Sequence, residues 1–440
     1  MSSHSETHVP RMKRISNRRS STVTVLDVGS TKICCLIARL KPQEDADMLP
    51  GRTHSVKVLG YGYQRSRGIK SGAIIDMDQA EHAIRLAVDA AERMAGVTVE
   101  SLIVSISCGR LSSEAFSANV SIGGAEVTEA DIQRVLAAGS RHSVGEGRTV
   151  VHSLPIGYAL DGNRGIADPI GMYGDRLSVD MHVIAADQVP VRNFELCLER
   201  AHLQTATMVA APYASGLASL VDDEAELGVA CVDMGGGTTS LAIFADGHCV
   251  HVDGIALGGH HVTMDLARGL STRLQDAERL KTLYGNALPS EADDTDVVTV
   301  LPVGDEESDV PQNVPKSTLN GIIRPRVEEI LELVRDRLNA SGFAGRVDSR
   351  VVLTGGASQL TGMAEAAARI MGRNVRIGRP LGVSGLPEAA KGPGFSTAIG
   401  LMIYPQVARI EQFEARSAGP RKTGTGGYFS RVGQWIRDSF

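Results

Sequence analysis

Between residues 21 and 405, short apolar runs of strand length alternate with amphipathic stretches and Gly-bearing turns. Residues 21–40 predict a pair of strands, and 55–63 a third after a polar insert near 41–52. Gly68 to Asp76 reads as a turn. Residues 78–95 read as a helix, because Ala80, Ile84, Ala87, Val88 and Ala91 recur at helical spacing. Ser101 to Ser107 is an apolar strand. From about 103 to 184 the pattern changes to short strands, frequent Gly turns and one helix opened by Thr128-Glu129-Ala130-Asp131, which predicts a small inserted α+β subdomain. A helix at 187–201 follows, and Met208 to Leu217 opens another. Beyond them come a hairpin near Leu227, a helix after Gly258-Gly259, a helix over 276–285 and an acidic, Pro-bearing stretch at 288–316. Residues 322–339 form an amphipathic helix through Ile323, Val327, Ile330, Leu331, Val334 and Leu338. An apolar run from Arg350 ends in Gly355-Gly356, with a helix from about Thr361 to Met371, and 391–400 leads into a last helix.

Two of the hairpins are written to one plan. Asp27-Val28-Gly29-Ser30-Thr31-Lys32 and Asp233-Met234-Gly235-Gly236-Gly237-Thr238-Thr239 each run an apolar strand into an Asp, then Gly with hydroxyls, then a returning strand. Glycine lets a backbone approach a phosphate and present its N–H groups. A strand-end Asp suits Mg²⁺, which prefers carboxylate oxygen and keeps several waters. Two such hairpins imply a duplicated domain closing on one nucleotide from both sides. Gly355-Gly356-Ala357 offers bare backbone against which an adenosine can lie.

Composition narrows the class. A chain of 440 residues fits two lobes, and 42% hydrophobic content suits a large core. A net charge of −6 gives nucleic-acid binding no support. No run is long and apolar enough for a transmembrane helix, and the N-terminus has no apolar signal core. The six cysteines lack a Cys-x-x-Cys pair, as expected of a reducing cytoplasm. His248, Cys249 and His251 lie on one strand with no matching cluster elsewhere and are not expected to hold a metal.

The two ends differ from the body. Residues 1–20, with Arg11, Lys13, Arg14, Arg18 and Arg19, read as a disordered basic arm. Residues 406–426 read as a flexible linker. In 427–440, Phe429, Val432, Trp435, Ile436 and Phe440 share one helical face, with Arg431 and Arg437 off it, which suits a weak, reversible anchor on an anionic membrane surface.

In order and spacing, the three glycine segments resemble the phosphate-1, phosphate-2 and adenosine motifs of the actin/Hsp70/sugar-kinase superfamily. With the inserted subdomain and the terminal helix, the chain resembles the FtsA family of bacterial actin-like division proteins. The resemblance implies a two-lobed actin-like ATPase fold, built of duplicated ribonuclease-H-like domains with an inserted α+β subdomain 1C and a C-terminal amphipathic helix. It divides the chain into 1A (21–102, 185–226 and 386–405), 1C (103–184), 2A (227–270 and 346–385) and 2B (271–345). It implies ATP and Mg²⁺ as cofactors. Gly29, Ser30, Thr31 and Lys32, with Gly235, Gly236, Gly237 and Thr238, would hold phosphates. Asp27 and Asp233 would position Mg²⁺ through water. Gly355, Gly356 and Ala357 would bed the adenosine, and Glu278 and Lys281 would reach adenine and ribose. Implied partners are the FtsZ C-terminal peptide at 2B, further copies of the chain in filaments, and later division proteins at 1C, on the inner face of the cell membrane. One departure bears on turnover. Met208 to Tyr213 carries no acid or amide to orient an attacking water, so hydrolysis should be slow or absent. A pilus-type actin-like scaffold of the PilM kind and a sugar- or acetate-kinase-type enzyme are the alternatives.

Overall fold

The computed structural model describes residues 15–16, 18–43, 52–140, 144–303, 310–347 and 350–408. The amphipathic tail at 427–440, the linker, most of the basic arm and most of the 41–52 insert lie outside the described residues.

The first lobe is a six-stranded sheet. β1 (Ser21–Val28), β2 (Lys32–Pro42) and β3 (His54–Arg65) form an antiparallel meander, in register Asp27↔Cys34 and Arg39↔Lys57. The short hairpin β4 (Ile69–Lys70) and β5 (Ala73–Ile74) leads to α1 (Met77–Ala95), whose first turn is capped by the Asp76 carboxylate accepting from the Gln79 N–H. Gly60 and Gly62 allow α1 to lie directly on β3: a Cβ there would stand 2.2 Å from the Ala91 carbonyl oxygen and 1.8 Å from that of Ala87. β6 (Ser101–Ile106) runs parallel to β1.

The inserted subdomain follows. An antiparallel sheet, in order β7-β10-β8-β9, is formed by β7 (Ser112–Ser121), β8 (Arg148–Leu160), β9 (Asn163–Ile166) and β10 (Arg176–Asp187), with α2 (Glu129–Gly139) on one face. The expected capping start is present: the Asp131 carboxylate accepts from the Thr128 N–H at 2.9 Å. The boundary expected at 103 is corrected by strand pairing. Leu26 pairs with Val104, so residues up to 106 belong to the first lobe and the inserted sheet begins at Ser112.

The chain returns through α3 (Gln188–Arg200) and β11 (Gln204–Ala210) to α4 (Ala211–Ser219) and α5 (Asp222–Leu227). Met208 to Ala210, expected to open a helix, are instead the end of a strand. They are fully buried and pair with Val104 to Ile106, and a short apolar run does not distinguish the two structures by periodicity.

The second lobe repeats the plan of the first. β12 (Val229–Met234), β13 (Thr239–Ala245) and β14 (His248–Ile255) form the meander, and β17 (Arg350–Thr354) runs parallel to β12 as β6 does to β1. β18 (Asn374–Ile377) completes this sheet. α6 (Gly259–Gly269), α7 (Leu274–Tyr284), the ribbon β15 (Val297–Val300) with β16 (Gln312–Pro315), and α8 (Lys316–Ala340) form the part expected to be 2B. α8 starts six residues before the expected 322, and Asn320 in this added stretch is a buried anchor. Its side-chain oxygen takes the Asn286 N–H at 2.9 Å and its amide donates to Asp293 at 3.1 Å. α9 (Met363–Met371), β19 (Val383–Ser384), which joins the edge of the first sheet at β3, and α10 (Ser396–Val407) end the described chain.

One local expectation is revised, and one contact joins the insert to the second lobe. Ile15 is buried in the first-lobe core and the Ser16 carbonyl is bonded to the His54 ring at 3.1 Å, so these residues are ordered against the body rather than part of a disordered arm. His182 of the insert bridges to the second lobe: its ring bonds the Cys249 carbonyl and Ser113 Oγ, both at 2.8 Å, while Ser113 also joins the Val252 backbone.

Candidate functional site

The two Asp-Gly turns are superimposable in their bonding. The Gly29 N–H donates to the Lys32 carbonyl at 2.9 Å, and the Gly235 N–H donates to the Thr238 carbonyl at 2.9 Å. They face each other across the cleft. A Cβ on Gly236 would stand 2.2 Å from Thr31 Cγ2, and one on Gly237 would stand 2.4 Å from Ser30 Oγ. The second turn is held from behind by α6, whose Gly259 and His260 N–H groups donate to the Gly235 and Gly236 carbonyls at 2.9 and 2.8 Å.

Each turn carries its Asp one residue before the strand end. Asp27 Oδ1 accepts from Ser105 Oγ at 2.8 Å, and Asp233 Oδ2 accepts from Thr397 Oγ1 at 2.9 Å and from Ser215 Oγ. Burial raises both carboxyls above the usual range. Around Asp27, the Lys32 ammonium and the Ser105 hydroxyl oppose this, and the charge of Asp233 adds to it. Two buried acids near one ammonium are a charge deficit that a hard cation corrects. Carboxylate oxygen is the donor type Mg²⁺ takes, with water and phosphate filling the other positions. Among the described residues no group of three or more His, Cys, Asp or Glu converges, so these two acids could hold such an ion only together with its waters and a bound phosphate.

A cavity of about 480 Å³ lies between the turns, lined by Asp27, Gly29 to Lys32, Asp233, Gly235 to Thr238, Gly355, Gly356 and Thr397. A second, of about 1010 Å³, adjoins it. The two share Ser30, Thr31, Gly235, Gly236 and Gly356, so phosphate-sized and base-sized spaces open into each other. Glu278, Lys281, Thr263, His260 and Ala357 line the larger one. Lys281 Nζ donates to Glu278 Oε2 and Thr263 Oγ1, both at 2.8 Å, and to the Gly259 carbonyl at 3.1 Å. Burial would raise the Glu278 carboxyl, but Lys281 and the Thr263 hydroxyl outweigh it and hold it below its ordinary value. The pair is therefore more than a surface i,i+3 contact: it fastens α7 to the start of α6. Gly355, at φ +83°, has no room for a side chain, since a Cβ would stand 2.4 Å from Asp233 Oδ1.

All the residues expected to contact nucleotide within the described chain thus converge on one cleft. Lys32 does so differently from expectation. Its ammonium donates to the Gly394 carbonyl and stands 3.7 Å from the centre of the Phe395 ring, tying the first hairpin to the turn before α10. Sequence reasoning missed Ser105, Ser215 and Thr397, which orient the two acids, and Tyr61, Tyr63 and Phe395, which wall one side. Ala211 lines the phosphate-side cavity at the stretch searched for an acid or amide, and presents only a methyl group.

Comparison with known proteins decides the family. A family model described as "Cell division protein FtsA" matches residues 230–400, and one described as "SHS2 domain inserted in FTSA" matches 108–185. The chain is 57% identical over 432 residues to the cell division protein FtsA of Rhizobium meliloti, covering 98% of each. The chain belongs to the FtsA family. The relative from Escherichia coli K12 is 31% identical over 425 residues, covering 95% of this chain and 98% of that one. The inserted four-stranded sheet is the SHS2 domain that marks the family. The FtsA-family body has the actin-like fold. It aligns with a structure of the PilM–PilN type IV pilus biogenesis complex at TM-score 0.58 and 15% identity, over 89% of this chain and 99% of that one. It also aligns with MreB5 of Spiroplasma citri bound to ADP, at TM-score 0.52 and 12% identity, over 90% of this chain and 98% of that one. PilM therefore shares the fold, and the alternative of a pilus scaffold or a kinase-type enzyme gives way to a cell-division protein. No helix among the described residues is long and apolar enough to cross a membrane.

Proposed function

We propose that this FtsA-family chain binds ATP with Mg²⁺ in the interlobe cleft, self-associates, and tethers the FtsZ ring to the inner face of the cytoplasmic membrane, where it recruits later division proteins. The observation that carries the nucleotide reading is the pair of glycine turns brought into contact across the cleft, each backed by a buried carboxylate. Ser30, Thr31 and Thr238 and the turn N–H groups donate to phosphate oxygens from both lobes. Asp27 and Asp233 accept the waters of Mg²⁺, which supplies charge neutralisation between the acids and the phosphates. Lys281 and Glu278 face the base and ribose, and Gly355, Gly356 and Ala357 form the bed beneath them.

Because Ala211 presents no group to orient water, ATP acts as a ligand that holds the lobes together, and turnover is slow. The tether is completed outside the described residues by 427–440, where Phe429, Val432, Trp435, Ile436 and Phe440 enter the bilayer interface and Arg431 and Arg437 meet its anionic headgroups. Residues 271–345 take the FtsZ C-terminal peptide and the inserted subdomain takes later division proteins. Self-association multiplies a weak single anchor by avidity.

Vesicle co-sedimentation tests the tether. The intact chain should pellet with anionic vesicles and bring FtsZ with it, whereas a chain lacking 427–440 and the Trp435→Glu variant should stay in the supernatant. Equal behaviour of all three would remove the membrane role of the tail.

A further inference from the structure

The point where the chain enters the first lobe and the point where it leaves are held together by one residue. His54, at the start of β3, bonds the Ser16 carbonyl through Nε2 at 3.1 Å. Its backbone N–H, with that of Thr53, donates to Gln406 Oε1 near the end of α10, at 3.1 and 2.9 Å. Ile15 and Ala408 belong to the same buried cluster. The basic segment before Ile15 and the segment after Ala408 that leads to the aromatic tail therefore depart from the same end of the sheet.

That end is positively charged. Arg18 and Arg19 immediately precede β1, Arg39 and Lys41 lie at the end of β2, and Lys57 sits opposite Arg39 on β3. All five side chains belong to exposed residues, and none is engaged in an ion pair among the described residues. Arg11, Lys13 and Arg14 add three cations just upstream. Among the described residues, Glu100 precedes β6 at the same end, and Asp222 faces Arg52, which is itself bonded to the Leu217 carbonyl. Five exposed cations on the strand ends are a local excess of positive charge on a chain whose net charge is −6.

We propose that this end of the first lobe is a docking face for an anionic bilayer, acting together with the tail. The proposal rests on the membrane reading of the tail, and the shared exit point carries it: any surface that captures the tail is brought against these cations. The tail supplies apolar insertion and the face supplies selectivity for anionic headgroups, in the way juxtamembrane basic clusters add attraction near a charged leaflet. Two weak contacts tethered by one chain reinforce each other, because the first raises the effective concentration of the second.

The test compares binding of the full-length protein to phosphatidylcholine vesicles and to vesicles also containing phosphatidylglycerol. The variant Arg18→Gln/Arg19→Gln/Arg39→Gln/Lys41→Gln/Lys57→Gln should bind the neutral vesicles as the parent does, and lose about tenfold or more on the anionic ones. A control carrying Arg335→Gln, Arg337→Gln and Arg369→Gln, on α8 and α9 of the other lobe, should keep the parent's preference. Trp435→Glu should lose binding to both. An unchanged anionic preference in the five-residue variant, or an equal loss in the control, overturns the docking face. Retained binding by Trp435→Glu overturns the tail anchor instead. Should the five-residue variant melt at a lower temperature, Arg18→Gln/Arg19→Gln and Lys41→Gln/Lys57→Gln read the same preference separately.

Discussion

The contact between the two glycine turns across the cleft yields a sharp prediction. Gly236→Ala leaves the backbone unstrained, because its φ is not in the left-handed region. The cost is a cross-cleft collision, since the new methyl would sit 2.2 Å from Thr31 Cγ2 and 3.0 Å from Thr31 Oγ1. Overpacking of this kind costs about 1–3 kcal/mol, and because Thr31 is in one lobe and Gly236 in the other, the cost falls on closure rather than on either core. At about 1.4 kcal/mol per tenfold, ATP affinity should fall roughly 5- to 150-fold while the melting temperature of the nucleotide-free protein barely moves. Thr31→Ser keeps the hydroxyl and removes Cγ2, so the double variant Gly236→Ala/Thr31→Ser should recover part of the loss. Titration of a fluorescent ATP analogue, with thermal melts alongside, reads both quantities. Parental affinity in Gly236→Ala would refute the reasoning. A loss that Thr31→Ser leaves in full would show that the methyl obstructs the phosphate itself and not the opposite turn.

Three further outcomes are expected. Lys281→Ala should weaken ATP binding about tenfold, since it strips a partner from Glu278 and Thr263; if only stability changes, by about 0.5 kcal/mol, the pair is structural. Asp27 and Asp233 have raised carboxyl pKa values, so in the nucleotide-free protein they bind protons more tightly folded than unfolded, and their contribution to stability grows as pH falls. Mg²⁺ with ATP needs them ionised, so its thermal stabilisation should be larger above neutrality than at weakly acidic pH, a difference that Asp233→Asn should reduce. His182 is pushed down to about 4 by burial, with the neighbouring imidazoles of His251 and His152 adding to this and its bond to the Cys249 carbonyl opposing it; it is therefore neutral when folded, and stability present above its unfolded value of 6.5 is lost as pH falls toward 4. That displacement corresponds to about 3 kcal/mol, so denaturant midpoints across this window should drop more steeply in the parent than in His182→Gln.

The legible parts of the site are those written locally. Asp, Gly and hydroxyls within a few residues of two strand ends specify a turn, its donors and its acid together, and the first strand pair of each meander runs from that turn without a register shift. What sequence reading lost is long-range. Thr397 reaches Asp233 across 164 positions, and nothing in Ser396-Thr397 distinguishes it from an ordinary helix start. The first residues of α8 fell outside the expected 322–339, and the buried partners of Asn320, at 286 and 293, are set by the fold. Met208 to Ala210 could be strand or helix until β6 was available to pair with it. Ile15 is one of few apolar residues in a polar arm, and its burial belongs to a core cluster whose members run from Val23 to Ala408.

α10 gives these long-range contacts a common logic. It crosses α4 so closely that a Cβ on Gly400 would stand 1.8 Å from the Ala214 carbonyl oxygen, which fixes the two helices as one unit. Its first residues face the second lobe: Ser396 Oγ meets Thr354 Oγ1 at 2.6 Å, and Thr397 donates to Asp233. Its last turn faces the first lobe, where Gln406 holds Thr53 and His54. A helix of 12 residues spans about 18 Å, with Pro405 in its last turn, beyond the crossing with α4 at Gly400. The acid at the second glycine turn and the end of the described chain at Ala408 are therefore linked through the two ends of one helix. A shift of Asp233 relative to the first lobe strains its bonds to Thr397 and to Ser215 together, because α10 and α4 are packed as one unit.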